Sequence, residues 1–320
     1  MSGAGLMLLA WAMELASGWP GWLYRRARHP VVWLGAAVSG LERALNRQAL
    51  PHGARYAAGA AATLALVAGS AGLAWALAAA LPDTVWGAAA QALAASSLLA
   101  SRSLHAHVAA VAAPLAAGDV DEARGAVAQI VGRDPSQLDA AAIARAGLES
   151  LAENASDGVI APLFWGALFG LPGLAAYKAI NTLDSMIGHR SARYAAYGGF
   201  AARLDDAANL IPARLTGVFI ALASGRPRAF AVMARDARRH RSPNAGWPEA
   251  AMAGALGVRL SGPRAYGSEG RQEPWLNAGA RDPGPRDMAA GLALYRRALM
   301  LAALILALLA AGQLARPAAP

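Results

Sequence analysis

YAAGAAATLALVAGSAGLAWALAAAL, residues 56–81, is an uninterrupted run of 26 residues without a charged side chain. A helix of this length, at about 1.5 Å of rise per residue, is longer than the roughly 30 Å hydrocarbon core of a bilayer. Ala and Leu dominate the run, and both favour helix. The run therefore predicts a helix that spans a membrane.

The composition extends this prediction to the whole chain. Of its 320 residues, 56% are hydrophobic and 15% are charged, against roughly 25% charged residues in an average soluble domain. We expect an all-α, polytopic integral membrane protein. Residues 84–101, behind a break at Pro82 and Asp83, predict a second span that forms a hairpin with the first. Residues 298–314 predict a third span, and residues 6–16, which include Glu14, are the weakest candidate.

Charge placement predicts the orientation of the chain. The segment 25–55 contains one acid, Glu42, and six arginines: Arg25, Arg26, Arg28, Arg43, Arg47 and Arg55. The positive-inside rule puts such a loop in the cytoplasm. We therefore expect a multi-pass protein of the cell (inner) membrane with its active region facing the cytoplasm. The predicted domains are membrane helices with the basic loop (1–120), a motif-bearing catalytic region with broken membrane-associated segments (121–289), and a C-terminal membrane helix and tail (290–320).

The net charge and the missing cysteines exclude several classes of function. The formal net charge is +9 and there is no Cys, so thiolate catalysis, disulfides and Cys-ligated metals are excluded. Basic charge could attract nucleic acid, but no nucleic-acid-binding motif is present, and the apolar spans favour anionic lipid. The chain also lacks the phosphate-binding loop, the dinucleotide fingerprint, and the zinc-protease and serine-hydrolase signatures.

RAGLESLAENASD, residues 145–157, concentrates charge in this charge-poor chain. Arg145, Glu149, Glu153 and Asp157 follow one another at four-residue steps, so on a helix they form one slowly drifting stripe. An exposed helix face held by Arg–Glu pairs has the same spacing. The other reading is one wall of an active site.

The apolar segment 158–177 separates this stripe from the next polar cluster. Pro162 and the GLPG run at 170–173 interrupt it, because both residue types break helical hydrogen bonding. We predict two short halves in a re-entrant or interfacial hairpin, which returns both clusters to one aqueous side. Pro212 and Arg214 interrupt residues 210–224 in a similar way, so a full span is left open there.

Three more polar clusters follow this segment. The first contains Lys178, Asn181, Asp184 and Ser185, and the second contains Arg203, Asp205, Asp206, Asn209 and Arg214. The third is the basic run 235–249. Membrane-anchoring charges or solvated loops are the simpler readings. Carboxylate and amide oxygens are, however, hard ligands for Mg²⁺, and arginine forks bind phosphate or carboxylate. This combination of carboxylates, amides and arginines therefore favours phosphoryl chemistry on an anionic substrate.

These clusters lie within motifs that resemble a known family. The motifs are VGRD (131–134), ESLAENASDGVIAPLFW (149–165), YKAINTLDSMIGHR (177–190), ARLDDAANLIPARL (202–215) and RDARRHRSPNAGWPEAAMAGALGVRLSGPRAYG (235–267), with HPVVWLG (29–35) and LERALNR (41–47) before them. In this order they resemble the adenosylcobinamide-phosphate synthase family of cobalamin biosynthesis.

The resemblance implies an ATP- and Mg²⁺-dependent ligase that forms an amide bond. Its substrates would be adenosylcobyric acid, through the free propionate, and aminopropanol or aminopropanol O-phosphate. The catalytic candidates are then Glu149, Glu153, Asp157, Lys178, Asp184, Arg203, Asp205 and Asp206, of which Glu149, Glu153 and Asp157 are the proposed Mg²⁺ ligands. The substrate-binding candidates are Asn154, Asn181, His189, Arg190, Asn209, Arg214, Arg235, Arg238, Arg239, His240, Asn244, Trp247 and Glu249.

Two other classes of function remain open. Ionisable groups among broken helices are also typical of transporters, here of an anionic metabolite. A noncatalytic membrane subunit of a corrinoid-synthesis complex would carry the same motifs beside other cobalamin-biosynthesis proteins. The expected partners are otherwise the two substrates and the lipid bilayer, with no nucleic acid.

Overall fold

The computed structural model describes residues 1–131, 134–266, 269–271 and 273–314, and this part of the chain is predominantly helical. Gly132 and Arg133 of the VGRD run and Gly267 of the run 235–267 lie outside the described residues. The first helices are α1 (Gly3–Ser17), α2 (Gly21–Ala27), α3 (Pro30–Leu45), α4 (His52–Ala80), α5 (Val85–Ser96), α6 (Ser101–Ala117) and α7 (Val120–Val127). They are followed by α8 (Ala140–Ala155), α9 (Ala161–Ile187), α10 (Gly199–Ser224), α11 (Pro227–Asp236), α12 (Gly246–Leu256) and α13 (Pro285–Leu314).

Short non-α elements join some of these helices. A π turn (Ser156–Ile160) connects α8 to α9, and a 3₁₀ turn (Ala237–Arg239) follows α11. The strands β1 (Leu260–Ser261), β2 (Arg264–Tyr266), β3 (Glu269–Arg271) and β4 (Trp275–Leu276) form two antiparallel pairs, β1 with β4 and β2 with β3. The all-α fold class is confirmed.

Four helical stretches among the described residues are long and apolar enough to cross a membrane: His52–Ala80, Ala140–Ile187, Gly199–Ser224 and Pro285–Gln313. The predicted spans at 56–81 and 298–314 lie within the first and the last of these. The helix at 210–224 also lies within one of them, because Pro212 is accommodated inside α10 without ending it. The membrane character of the chain is therefore confirmed.

The predicted second span at residues 84–101 is wrong. Helix α5 has 12 residues, which corresponds to about 18 Å and is too short for the hydrocarbon core. The Ser96 and Ser97 hydroxyls donate back to the carbonyls of Leu93 and Ala94 at 2.8 and 2.7 Å, and such bonds compete with continuation of the helix. Helix α5 packs against α1, which is itself only 15 residues long.

Helix α9 changes direction sharply at Gly170, which has φ 67° and ψ −154°. A Cβ placed on Gly173 would lie 2.5 Å from the carbonyl oxygen of Trp165, eight residues earlier. Residues from both halves, Ala161 and Tyr177, share one core cluster with Ala208. The predicted break of segment 158–177 is therefore present, while its position in the membrane remains a prediction.

The helices divide into two compact units. Among the described residues, unit 1 contains residues 1–100, 161–209 and 305–314, and unit 2 contains residues 101–160 and 210–304. In unit 1, Val38, Leu183 and Tyr197 belong to one buried cluster. In unit 2, α8 packs against α6, α7 and α12 and buries Leu148 and Leu151. The predicted domains at 1–120, 121–289 and 290–320 rest on function rather than contacts, and they remain predictions.

The break at Gly170 gives a test of the fold. We expect Gly170→Ala to destabilise the protein by about 1–3 kcal/mol, because this φ/ψ combination is strained for any residue with a Cβ. Chemical unfolding of the detergent-solubilised protein, followed by circular dichroism, measures the change. Gly69→Ala is the matched control, because Gly69 lies within α4 with open space around it, and Ala is about 1 kcal/mol better than Gly inside a helix. Equal stability of the two variants would contradict the assignment of strain.

Candidate functional site

The candidate residues divide into one group in each unit. The group in unit 1 comprises Lys178, Asn181, Asp184, His189, Arg190, Arg203, Asp205, Asp206 and Asn209. The group in unit 2 comprises Glu149, Glu153, Asn154, Asp157, Arg214, Arg235, Arg238, Arg239, His240, Asn244, Trp247 and Glu249.

A cleft of about 620 Å³ lies in unit 1 beside the first turns of α10, and we call it the α10 cleft. The start of α4, the segment after α9 and the start of α10 form its walls. Four sequence candidates line it: His189, Arg190, Arg203 and Asp206. With two guanidiniums and one carboxylate, the cleft carries a positive formal charge and suits an anionic ligand.

Three polar side chains that were not sequence candidates also line the α10 cleft: His52, Tyr56 and Tyr194. Arg203 Nη1 donates to Tyr56 Oη at 3.1 Å, and its guanidinium lies 5.7 Å from the centre of the Tyr56 ring. The only sequence signal was a polar HGARY run at 52–56 before the apolar helix, which resembles ordinary membrane-flanking charge.

Asp184 packs against the backbone that leads into the α10 cleft. Helix α9 ends with the Gly188 N–H donating to the Asp184 carbonyl at 2.8 Å. A Cβ on Gly188 would lie 2.0 Å from Asp184 Oδ1, so only glycine permits this close approach. Asp184 is also within electrostatic range of Asp206 and His189.

The neighbouring acids Asp205 and Asp206 have different surroundings. Asp205 is buried and accepts a hydrogen bond from Asn209 Nδ2 at 3.0 Å, and Asn209 Oδ1 accepts one from Tyr177 Oη at 2.8 Å. This chain of bonds connects α9 to α10. Asp206 instead lines the cleft, so the geometry separates an acid that positions the helix from one that can meet a ligand.

The loop after His189 and Arg190 is fixed by a network rooted in α3. Arg193 donates to both carboxylate oxygens of Glu42, at 2.9 and 2.7 Å, and Asn46 Nδ2 donates to Glu42 at 2.8 Å. Arg55 donates to Asn46 at 2.9 Å and to the Arg193 carbonyl. The Arg193 hydrogen bonds lower the pKa of Glu42 and outweigh its burial. Arg55, expected in a basic loop, is therefore part of the scaffold of the cleft.

Lys178 and Asn181 do not line the α10 cleft. The Lys178 ammonium lies near the His29 ring, which also makes an edge-on contact with Trp19 at 4.9 Å. Burial, and then the Lys178 charge, lower the pKa of His29. This places Lys178 beside the start of the HPVVWLG motif.

In unit 2, the stripe of residues 145–157 is divided between the interior and the surface. Glu149 is buried, and its Oε1 accepts a hydrogen bond from the Ser261 N–H at 2.6 Å. Arg145 pairs with Asp282. Glu153 and Asn154 are exposed, and Asn154 donates to the Ser150 carbonyl of its own helix at 2.9 Å. Arg145 and Glu149, in the first half of the stripe, therefore stabilise the packing of α8 within unit 2.

Arg145 forms part of a clamp around Trp275. The guanidiniums of Arg145 and Arg259 lie 4.6 and 4.3 Å from the indole, within cation–π range. Both also bind Asp282, which Arg259 contacts at 2.9 and 2.6 Å. Gly262, at φ 91°, allows the ring to fit, because a Cβ there would lie 2.5 Å from it. Asp282 and Trp275 were missed because they are isolated in the sequence.

The three acids of the stripe do not fit a resident Mg²⁺ site. No group of three or more His, Cys, Asp or Glu side chains is arranged to hold a metal within the part of the chain that the structure describes. Glu149 already accepts a backbone hydrogen bond in the interior, and Asp157 lies in the π turn, where the four-residue spacing no longer applies. We therefore assign no step to a resident metal.

A second group of candidates meets around Arg214 in unit 2, and we call it the Arg214 cluster: Arg214, Arg238, Asn244 and Trp247. The Arg214 guanidinium lies 4.6 Å from the Trp247 ring and donates to Asn244 Oδ1 at 3.3 Å. Arg238 is close enough to repel Arg214 electrostatically. Two guanidiniums held this close favour a shared anionic ligand.

The remaining basic candidates of this segment are engaged with acids. Arg235 binds both oxygens of the buried Asp236 at 2.8 and 2.6 Å, and Arg239 lies 3.4 Å from the same carboxylate. The Arg235 hydrogen bonds outweigh burial and lower the pKa of Asp236. His240 lies 3.7 Å from the buried Glu249. These pairs stabilise the conformation of this segment, and the acids offset the charge of its basic side chains.

A family model for CobD/Cbib proteins matches residues 7–295. The chain belongs to the CobD/Cbib family. The resemblance carried by the motifs is thereby confirmed, and it connects the chain to cobalamin biosynthesis. No solved structure matches the chain significantly.

Three relatives named cobalamin biosynthesis protein CobD extend over nearly the whole chain. The Rhodobacter capsulatus protein is 57% identical over 311 residues, covering 97% of this chain and 98% of its own. The Brucella suis protein is 48% identical and covers 91% of each chain. The Sinorhizobium protein is 45% identical and covers 95% of this chain and 97% of its own. The described architecture is therefore that of a CobD/Cbib protein along its length.

The clamp around Trp275 predicts a specific pH dependence of stability. The Arg259 hydrogen bonds, helped by Arg145, lower the pKa of Asp282 from 3.8 to about 2. Because the folded pKa is depressed, the stabilisation is complete above about pH 5 and is lost as the pH falls through the unfolded pKa towards about 2.

Denaturant unfolding of the wild-type protein and of Asp282→Asn at a series of pH values measures this effect. We expect the difference in free energy of unfolding between the two to be constant above about pH 5 and to shrink towards pH 2. Asp83→Asn, at an exposed position in the turn after α4, is the control and should show no such dependence. A difference that does not change with pH would contradict the ion-pair assignment.

Proposed function

We propose that this CobD/Cbib protein forms an amide bond between the free propionate of adenosylcobyric acid and the amine of aminopropanol or its O-phosphate. Family membership over residues 7–295 supports the reaction class. The structural observation that carries the proposal is the α10 cleft, which brings Arg190, Arg203 and Asp206 together. The product is adenosylcobinamide or its phosphate.

The propionate must be activated before the amine can attack it, because a carboxylate is a poor electrophile. We infer that MgATP is a substrate rather than a resident cofactor and that it supplies the phosphoryl group. The phosphoryl group passes to a carboxylate oxygen and ADP leaves. The amine nitrogen then bonds to the carbonyl carbon, the bond to the phosphate oxygen breaks, and inorganic phosphate departs. One ammonium proton must be removed before the attack, and the nitrogen loses a second proton to solvent as the amide forms.

The α10 cleft contains side chains suited to binding the phosphoryl group and a side chain suited to accepting the proton. Arg190 and Arg203 can bind the anionic phosphoryl oxygens, and Tyr56 orients Arg203 through its hydroxyl. Asp206 is the acid in position to accept the proton of the amine. We give the charge-neutralising role to Arg190 rather than to the catalytic candidate Lys178, because Lys178 lies beside His29 outside the cleft.

We assign recognition of the aminopropanol phosphate to the Arg214 cluster. Arg238 and Arg214 supply two guanidiniums, and Trp247 provides the surface on which Arg214 stacks. Arg239 and His240 are less suited to this role because Asp236 and Glu249 engage them.

We also propose a location at the cytoplasmic face of the inner membrane. The six arginines between residues 25 and 55 support this orientation through the positive-inside rule. The kink of α9 at Gly170 supports a re-entrant hairpin, since both halves share one core cluster. Such irregular backbone is tolerated at membrane depth when protein surrounds it.

An assay with the purified chain tests the reaction. Protein reconstituted in liposomes is supplied with adenosylcobyric acid, MgATP and either aminopropanol or its O-phosphate, and loss of the free propionate is followed by mass spectrometry. We expect product with at least one donor and none without ATP. Vesicle uptake of corrinoid without ATP would favour a transporter, and a need for a second protein would favour a noncatalytic subunit.

Substitution of Arg203 tests the cleft. We expect Arg203→Gln to lower kcat/KM for MgATP by about 100-fold, because a charge-assisted contact to the transferred phosphoryl group is lost. Arg26→Gln, at an exposed position in α2, removes the same charge elsewhere and should retain activity. Equal activity of the two variants would remove Arg203 from the site.

The adjacent acids of α10 provide a matched pair for the proton acceptor. We expect Asp206→Asn to lower kcat at neutral pH by about 100-fold, within the usual range for general-base catalysis, with the unfolding temperature preserved. The activity should recover partly at high pH, where the amine is already neutral. Asp205→Asn should mainly lower the unfolding temperature, because Asp205 is buried against Asn209. If Asp206→Asn retained full kcat across the pH range, Asp206 would not be the proton acceptor.

A further inference from the structure

A second cleft, of about 520 Å³, lies in unit 2 along the first turns of α13, and we call it the α13 cleft. It contains none of the residues assigned to the reaction. Four arginines line it, Arg226, Arg281, Arg286 and Arg297, against a single acid, Asp287. The formal charge of these five side chains is +3, from four positive groups and one negative.

One face of α13 forms the floor of this cleft. Arg286, Ala290, Ala293 and Arg297 follow at steps of four, three and four residues, so they lie on the same side of the helix. The two alanines leave a shallow apolar surface between two basic positions. Because each step along a helix rises about 1.5 Å, the two arginine positions are about 16 Å apart along the axis.

The other two arginines are fixed by their neighbours. Arg281 binds both oxygens of Asp287 at 2.7 Å, and the Gly284 N–H donates to the same carboxylate at 2.8 Å. Asp287 is therefore satisfied at the start of α13. Arg226 Nη1 donates to the Ala255 carbonyl at the end of α12, at 2.8 Å. This contact holds its guanidinium beside the cleft and leaves its other N–H groups for a ligand.

We propose that the α13 cleft binds a phosphate group, carried by an anionic membrane lipid or by a soluble phosphate ester. Arg226, Arg286 and Arg297 supply charge-assisted donors, and the alanine floor accepts the apolar part of the ligand. Basic pockets at the ends of membrane helices bind lipid headgroups in this way. Arg297 immediately precedes the apolar residues 298–314, so the basic positions lie on the N-terminal side of the most apolar part of α13.

The experiment uses the full chain in two arms. In the lipid arm, the protein is purified in neutral detergent, and dipalmitoyl phosphatidylglycerol or phosphatidylcholine is titrated while binding is measured by native mass spectrometry. In the phosphate arm, inorganic phosphate is titrated by calorimetry at constant ionic strength, with chloride as the reference anion. Arg286→Gln and Arg297→Gln are compared with Arg296→Gln, which neutralises the neighbouring exposed arginine that does not line the cleft.

We expect phosphatidylglycerol to bind more tightly than phosphatidylcholine, with affinity falling about tenfold in Arg286→Gln and Arg297→Gln, the loss expected for one charge-assisted contact. Arg296→Gln should stay within about twofold of the wild type. Selective lipid binding without phosphate binding identifies a lipid site, and binding of inorganic phosphate with the same arginine dependence identifies a soluble ester site. Circular dichroism checks that each variant is folded.

Two outcomes would overturn the proposal. The first is that the folded wild-type protein binds neither phosphatidylglycerol selectively nor inorganic phosphate. The second is that Arg296→Gln loses as much affinity as Arg297→Gln, which would mean that diffuse surface charge, rather than the α13 cleft, attracts the anion.

Discussion

The pairing of buried carboxylates with guanidiniums is the constraint on which both units depend. A carboxylate removed from water costs several kcal/mol unless a counter-charge and hydrogen bonds accompany it. Glu42, Asp236 and Asp287 are each almost fully buried, and each binds an arginine through two hydrogen bonds. The pair of Glu42 and Arg193 joins segments 151 residues apart in the sequence, whereas the pairs of Asp236 and Asp287 fix the local conformation of their own segments.

This constraint separates the arginines that stabilise the fold from the arginines that can bind a ligand. Arg193 and Arg235 are committed to carboxylates, while Arg190 and Arg203 line the α10 cleft. In a soluble protein such a distinction would be lost among many surface ion pairs of little energetic weight. Here the position of each guanidinium is more informative, because only 15% of the residues are charged.

The sequence predicted the helical class, the spans at 56–81 and 298–314, and the break before residue 173, since all of these follow from local composition and from glycine and proline. It also brought His189, Arg190, Arg203 and Asp206 into the candidate set. It could not predict that Arg145 pairs with Asp282, because that contact joins residues 137 positions apart. It overestimated the span at 84–101, because serine hydroxyls that end a helix do not lower hydropathy enough to be noticed.

Asp205 and Asp206 show how little rotation separates structure from chemistry in this protein. Consecutive residues on a helix point about 100° apart, so a single residue step along α10 separates an acid in the interior from an acid in the cleft. The hydrogen bonds from Tyr177 through Asn209 to Asp205 fix the rotation of α10 about its own axis. A buried tyrosine on a neighbouring helix thus determines the direction in which a carboxylate in the cleft points, without touching it.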